Sequence, residues 1–201
     1  MQKELIFGTS NRAKIDQIQA ALGDANIIVR GINEFDIQID VVEDGATAQE
    51  NAKKKAIAYA KAIGRTVFAM DNALYFNGID DSEQPGVFVR RLGGIERSSD
   101  EEMINSYTGF IEKHGKRLDG WWDFGVSIAN ANGTSVEDSI ISPRLFVSEA
   151  SKRVVPGYPL ESIQIDKDTG KYISEMNSRE QALFWQKNIG DQLKEFVGAN
   201  L

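Results

Sequence analysis

The sequence predicts an α/β fold with a mixed central sheet flanked by helices. Three observations lead there. Short apolar runs alternate with amphipathic helical segments from the N-terminus through Phe76. Two long runs with period-two patterning meet at Asn132-Gly133, as the arms of a hairpin do. The chain then closes with one more amphipathic segment.

Each element has its own local reason. "KELIFG" (Lys3–Gly8) reads as a short buried strand. In "TSNRAKIDQIQAAL", Thr9, Ser10 and Asn11 are cap candidates ahead of Ile15, Ile18 and Leu22 at helical spacing. "NIIVRG" is a second strand. "ATAQENAKKKAIAYAKAIG" is a helix: Ala52, Ala56, Tyr59, Ala60 and Ile63 form one apolar stripe, and Gly64 suits the C-terminal stop. Its small alanines predict close packing on a sheet. "TVFAMD" is a third strand, which "LYFNGI" either extends or follows. "QPGVFVRRLGG" is a Pro/Gly-punctuated loop, and a polar helix covers Asp100–His114. In the hairpin Trp122, Phe124, Val126 and Ile128 alternate, and Asn132-Gly133 fits a type I′ turn. "NSREQALFWQKNIGDQLKEFV" reads as a single terminal helix.

Composition narrows the chemistry. With 201 residues, 41% of them hydrophobic, the chain can bury a core as one domain or as one domain with a second lobe. No apolar run approaches the roughly 20 residues of a membrane span, and "MQKELIFG" does not read as a signal peptide. A net charge of −7 argues against general nucleic-acid or membrane-surface binding. There is no cysteine, which excludes thiolate chemistry and leans towards the cytoplasm. The one histidine, His114, reads as a solvated helix end. Carboxylates, Lys/Arg, hydroxyls and backbone amides are left, with hard cations such as Mg²⁺ as their natural metal.

Three places can carry such chemistry. In "FGTSNRAK", Gly8 permits a close approach, free amides follow at a helix start, and Lys14 falls in the first turn; an anion fits there, and so does an ordinary capped helix with a surface lysine. Glu50 completes Thr47-Ala48-Gln49-Glu50, a capping box in which it would serve the Thr47 amide. It also faces Lys54 one turn on. Asp71 ends an apolar run, where a carboxylate needs a partner, a task, or an Asx-type turn with Asn72. Parallel strands would put Asp71 and the Gly8–Lys14 turn on one edge, where ligands of open α/β sheets gather. Arg90 and Arg91 either fork onto a phosphate or are solvated. Lys53–Lys55 is a wet helix face, with one member free to turn inward.

In this order the pieces resemble the inosine triphosphate pyrophosphatase family, whose members hydrolyse aberrant purine nucleoside triphosphates to monophosphate and pyrophosphate. The likeness rests on Thr9-Ser10-Asn11-Arg12-Ala13-Lys14, on Thr47-Ala48-Gln49-Glu50-Asn51-Ala52 followed by Lys55-Ala56, and on Met70-Asp71-Asn72-Ala73-Leu74. Pro85-Gly86-Val87-Phe88-Val89-Arg90-Arg91 and Tyr172-Ile173-Ser174-Glu175-Met176 extend it. The resemblance implies one two-lobed domain over residues 1–201 with a cleft, a homodimer, and Mg²⁺ held by Glu50 and Asp71. It implies Asp71 and Lys14 as catalytic residues, Asp71 directing the attacking water. It implies substrate contacts from Thr9, Ser10, Asn11, Lys14, Lys55 and Arg91.

Three departures bear on specificity. Met70 replaces one member of an acidic pair, with Glu43 and Asp44 as conceivable substitutes. Gly157-Tyr158-Pro159-Leu160 lacks the family's aspartate while keeping Tyr158 as a stacking candidate. Trp185-Gln186-Lys187 stands where the family has Ser-His-Arg against the purine, leaving Trp185 to stack and Lys187 to give a positive contact. The expectation is a Mg²⁺-dependent nucleoside triphosphate pyrophosphatase of the cytoplasm with altered base recognition. The alternative is a non-catalytic nucleotide-binding or regulatory protein on the same fold.

Overall fold

The computed structural model describes residues 2–91 and 98–201. Leu92, Gly93 and Gly94, the end of the expected Gln84–Gly94 loop, lie outside the described residues. The elements are β1 (Lys3–Phe7), α1 (Arg12–Leu22), β2 (Ile27–Gly31), α2 (Ala48–Ile63), β3 (Val67–Phe76) and α3 (Asp100–Lys113). They continue with β4 (Arg117–Ala129), β5 (Ser135–Val147), β6 (Gln164–Ile165), α4 (Ser178–Trp185) and α5 (Asp191–Asn200). Six strands form one sheet in the order β2-β1-β3-β4-β5-β6. β1 runs parallel to β2 and to β3, whereas β5 and β6 are antiparallel, so the sheet is mixed as the sequence predicts. Two units share its strands: residues up to Asn72 with 123–141 and 182–201, and residues 73–122 with 142–181.

In the first unit, Leu5, Ile6 and Phe7 are all buried, as suits a parallel strand covered on both faces. The alanine stripe of α2 lets the helix lie close: Ala56 and Ala60 pack with Ile6, Ile32, Val67, Ala69 and Ala129. The start of α2 rests on β4 at Gly125. There a Cβ would lie 2.2 Å from backbone atoms of Ala48 and Gln49, so only glycine fits. Gly8 also has a packing reason, since a Cβ would come within 2.9 Å of Tyr59. Gly64 ends α2 in the left-handed conformation, φ +68°.

In the second unit, Phe76 meets Phe146 edge-on at 5.0 Å and Phe110 at 5.5 Å, and Trp122 Nε1–H donates to Gln164 at 3.0 Å. α3 carries a complete capping box between Ser99 and Glu102. His114 caps its C-terminal end and packs on Phe110, ring centroids 4.7 Å apart.

Four expectations change. "LYF" continues β3, with Leu74 and Phe76 buried and Tyr75 half-buried, so Asp71 lies mid-strand and not at a strand end. The hairpin turn is not type I′, since Gly133 has φ +91° while Asn132 keeps negative φ; the wider Asn130–Thr134 turn closes through Asn130 N–H to Thr134 O at 3.0 Å. The Glu50 carboxylate accepts from the Ala46 amide, one residue upstream of Thr47, so the box is only half made. The terminal helix is broken into α4 and α5 by a π-helical turn at Gln186–Gly190, where Gln186 reaches out to the Ala20 carbonyl at 3.2 Å.

Candidate active site

The site is assembled on the first two turns of α2. Thr47 caps the helix through its side chain, accepting from the Glu50 amide at 3.1 Å. The preceding loop is then clipped to α2 residue by residue. Glu43 pairs with Lys55 at 2.8 Å and Asp44 pairs with Lys54. The Gly45 amide donates to Asn51 Oδ1 at 2.8 Å, and the Ala46 amide donates to Glu50 at 2.8 Å. Helical periodicity arranges the rest. Asn51 and Lys55, four residues apart, share the buried face with Ala52 and Ala56, while Lys53 and Lys54 stay exposed.

Asp71 on β3 points to that face. Its Oδ1 accepts from Lys55 Nζ at 2.8 Å and its Oδ2 from Asn51 Nδ2 at 3.1 Å. Asp71 and Lys55 are each 8% exposed, and Asn51 is 2% exposed. This answers why a carboxylate is tolerated there: both oxygens are hydrogen-bonded and its charge faces an ammonium. Burial on its own lowers the pKa of Lys55, but the charges of Asp71 and Glu43 outweigh it and hold the group above its ordinary value. One ammonium thus bridges two carboxylates. Of the two conceivable substitutes for an acid at position 70, Glu43 turns to this centre and Asp44 turns away. Met70 itself is buried in the core.

The β1–α1 turn leaves the sheet beside the same strand. Phe7 is in register with Phe68, and the Gly8 amide donates to the Phe68 carbonyl at 2.7 Å, three residues before Asp71. Asn11 caps α1 through Oδ1, accepting from the Ala13 amide at 3.0 Å. Thr9 Oγ1 accepts from the Asn11 amide at 3.2 Å. Ser10 is exposed and Lys14 is half-buried.

The other expected substrate contacts, Tyr158, Trp185 and Lys187 for the base and Arg91 for phosphate, divide between the units. In the first, Trp185 is 7% exposed and packs edge-on against Phe184 at 5.1 Å, leaving little ring face for a base; Lys187 is exposed on the π-helical turn. In the second, Tyr158 is half-buried, and burial pushes its hydroxyl well above the ordinary range. Arg91 is exposed and lies over the Phe88 ring at 5.6 Å. Sequence reasoning passed over Asn51 except as part of a motif. The signal available was its position one helical turn before Lys55 on the alanine face.

A bound Mg²⁺ typically takes one or two carboxylates and fills its octahedron with water and substrate phosphate. Among the described residues no three His, Cys, Asp or Glu side chains gather into a closed cage. The carboxylates that could serve in this way are Glu50 and Asp71. Glu50 is exposed with one oxygen on Ala46, and each Asp71 oxygen retains a further lone pair beyond its described hydrogen bond.

The chain matches the Ham1 family over residues 5–118. That stretch contains Lys14, Glu50, Lys55 and Asp71 and stops before Tyr158 and Trp185. The chain is 32% identical over 138 residues to a dITP/XTP pyrophosphatase of Staphylococcus aureus, covering 69% of this chain and 66% of that one. It is 32% identical over 108 residues to a dITP/XTP pyrophosphatase of Rhodopirellula baltica, covering 52% and 51%. The matched stretch therefore spans just under two thirds of the first relative and about half of the second. The fold is shared with the Staphylococcus aureus Ham1 protein, with TM-score 0.73, 21% identity, and 99% and 100% of the two chains covered. A HAM1 protein from Coxiella burnetii gives TM-score 0.73 and 21% identity, with 98% and 99% covered. The chain belongs to the Ham1 family.

Proposed function

We propose that this protein hydrolyses a nucleoside triphosphate to a nucleoside monophosphate and pyrophosphate, with Mg²⁺, and with base recognition altered from the inosine/xanthosine type. The observation that carries the reading is Asp71, a buried carboxylate held by Lys55 and Asn51, in a family whose curated relatives are named dITP/XTP pyrophosphatases.

Each residue has a physical task in this reading. The helix start at Asn11, with Thr9, Ser10 and Lys14, offers amides, hydroxyls and a cation to the polyphosphate. Lys55 exchanges a carboxylate partner for a phosphate oxygen as substrate arrives. Asp71 orients the attacking water towards the α-phosphorus and accepts its proton. Glu50 and Asp71 would hold Mg²⁺, which offsets phosphate charge and polarises the scissile anhydride when bound. On the base side, Lys187, exposed on the π-helical turn, is the candidate of the same unit, since Trp185 keeps little ring face free. A homodimer and a cytoplasmic location belong to the same proposal and rest on the resemblance.

The test is pyrophosphate release from a panel of purine and pyrimidine triphosphates with Mg²⁺, comparing wild type with Asp71→Asn. Turnover reduced by about two orders of magnitude or more in the variant supports the assignment. No turnover of any member by the wild type sinks it. The second reading, a nucleotide-binding protein without catalysis, is favoured by Met70, which removes an acid next to Asp71. It predicts that triphosphates raise the melting temperature without being consumed.

A further inference from the structure

We propose that Asn51 is the positioning residue of the site, and that it sets the direction of Asp71 from the backbone of the Gly45 turn. The inference rests on the proposed hydrolytic role of Asp71 and adds a residue and a route of control to it.

The geometry is specific. A primary amide presents an acceptor on one side and two donors on the other. Here the acceptor side takes the Gly45 amide at 2.8 Å, and the donor side gives to Asp71 Oδ2 at 3.1 Å. Neither face can be exchanged, because an amide oxygen turned to Asp71 would oppose a carboxylate and leave the Gly45 N–H facing an NH₂ group. Asn51 is 2% exposed, so water does not replace either bond. The Gly45 turn is itself fixed on both sides, through Glu43 to Lys55, Asp44 to Lys54, and Ala46 to Glu50. Asp71 thus takes its orientation from two sources. Lys55 supplies charge, through a flexible stem already shared with Glu43. Asn51 supplies direction, through a short side chain anchored to backbone. When Lys55 turns to a phosphate, Asn51 is the described contact that stays on the carboxylate.

Gly45 gives an independent handle on the same relay. A Cβ there would stand 2.7 Å from Asn51 Oδ1, 2.8 Å from Glu50 Cβ and 3.1 Å from the Asn51 amide nitrogen. Alanine at this position has to displace the amide that holds Asp71.

The experiment measures kcat and KM for pyrophosphate release by wild type, Asn51→Ala, Asn51→Asp and Gly45→Ala, with the Gly45→Ala/Asn51→Ala double variant. Asn51→Asp keeps the shape and the acceptor for Gly45, and replaces the donor to Asp71 by a second carboxylate oxygen, so it adds charge repulsion to the lost bond. Both Asn51 variants are expected to lose roughly 10- to 100-fold in kcat with KM changed by less than about threefold, as for groups that orient a reacting carboxylate. Gly45→Ala should lower kcat as well, and less so in the Asn51→Ala background than alone, since the amide it displaces is gone. Either Asn51 variant keeping kcat within about twofold of wild type, or Gly45→Ala having the same effect in both backgrounds, overturns the proposal. Should the wild type hydrolyse no triphosphate, the hydrolytic reading falls, and a crystal structure of Asn51→Ala decides positioning alone. Asp71 turned away from its present orientation supports it; Asp71 unmoved overturns it.

Discussion

Replacing Lys55 by methionine separates the electrostatics of the site from its packing. Methionine has nearly the stem length of lysine and is apolar, so the helix face keeps its volume and loses only the ammonium. Asp71 then retains Asn51 as its one described donor, in a position where its side chain is 12% exposed. Glu43, with a side chain 47% exposed, can return to water, so little of the penalty comes from it. Removing one partner from a buried ion pair costs about 3–5 kcal/mol, and the lower end applies because Asn51 still serves Asp71. For a slope of about 3 kcal/mol per molar, a loss of about 3 kcal/mol moves a urea midpoint down by about 1 M. The pH dependence carries a sign. The folded-state pKa of Lys55 is raised, so its contribution is complete below the unfolded value near 10.4 and is lost as pH rises through the folded value. The gap between wild type and variant should stay constant from pH 7 to about 10 and close above it. A variant as stable as wild type at pH 7, or more so, refutes the reasoning: desolvation of the ammonium would then outweigh what it gives Asp71.

Three further outcomes are expected. Glu161 is 5% exposed with Oε2 lacking a hydrogen bond among the described residues, and burial raises its pKa from 4.5 to about 7 despite the charge of Arg144. A raised acid stabilises the fold below its unfolded pKa, so wild-type stability should fall by roughly 3 kcal/mol between pH 4.5 and 7 relative to Glu161→Gln, in urea melts across that window. Gly125→Ala puts a methyl 2.2 Å from the backbone of Ala48 and Gln49, where no flexible atom can give way. A loss of about 3 kcal/mol or more by thermal melting is expected, together with reduced turnover as the start of α2 shifts. Thr47→Ala removes the N-cap of α2 and should cost about 1 kcal/mol, read from the same melts.

How much of this was legible depended on the range of the forces involved. The cap at Thr47 and the stop at Gly64 follow from bonds spanning a few residues and stand where the sequence places them, and of the three cap candidates for α1 the structure uses Asn11. The half-made box at Glu50 shows the limit: the Ala46 amide competes for the same carboxylate, and which amide wins depends on the path of the incoming loop. The terminal helix shows it again. Its apolar period is continuous, yet the backbone opens at Gln186, where Gln186 reaches the Ala20 carbonyl and a Cβ on Gly190 would lie 2.8 Å from the Ala21 carbonyl. Nothing in a window around residues 178–200 contains α1.

The sequence by itself determined the order of β1 to β5 and the helices among them, the alanine face of α2, and a chain whose chemistry has to come from carboxylates and cations, because periodicity, capping and composition are local properties. Tertiary structure alone decided that Lys55, which helical periodicity puts on that face, meets Asp71 sixteen residues away. It also decided that Glu43 and not Asp44 joins them, and that Asn51 ties the Gly45 turn to the carboxylate. A buried charge finds its partner only when the sheet and the helix have closed over both.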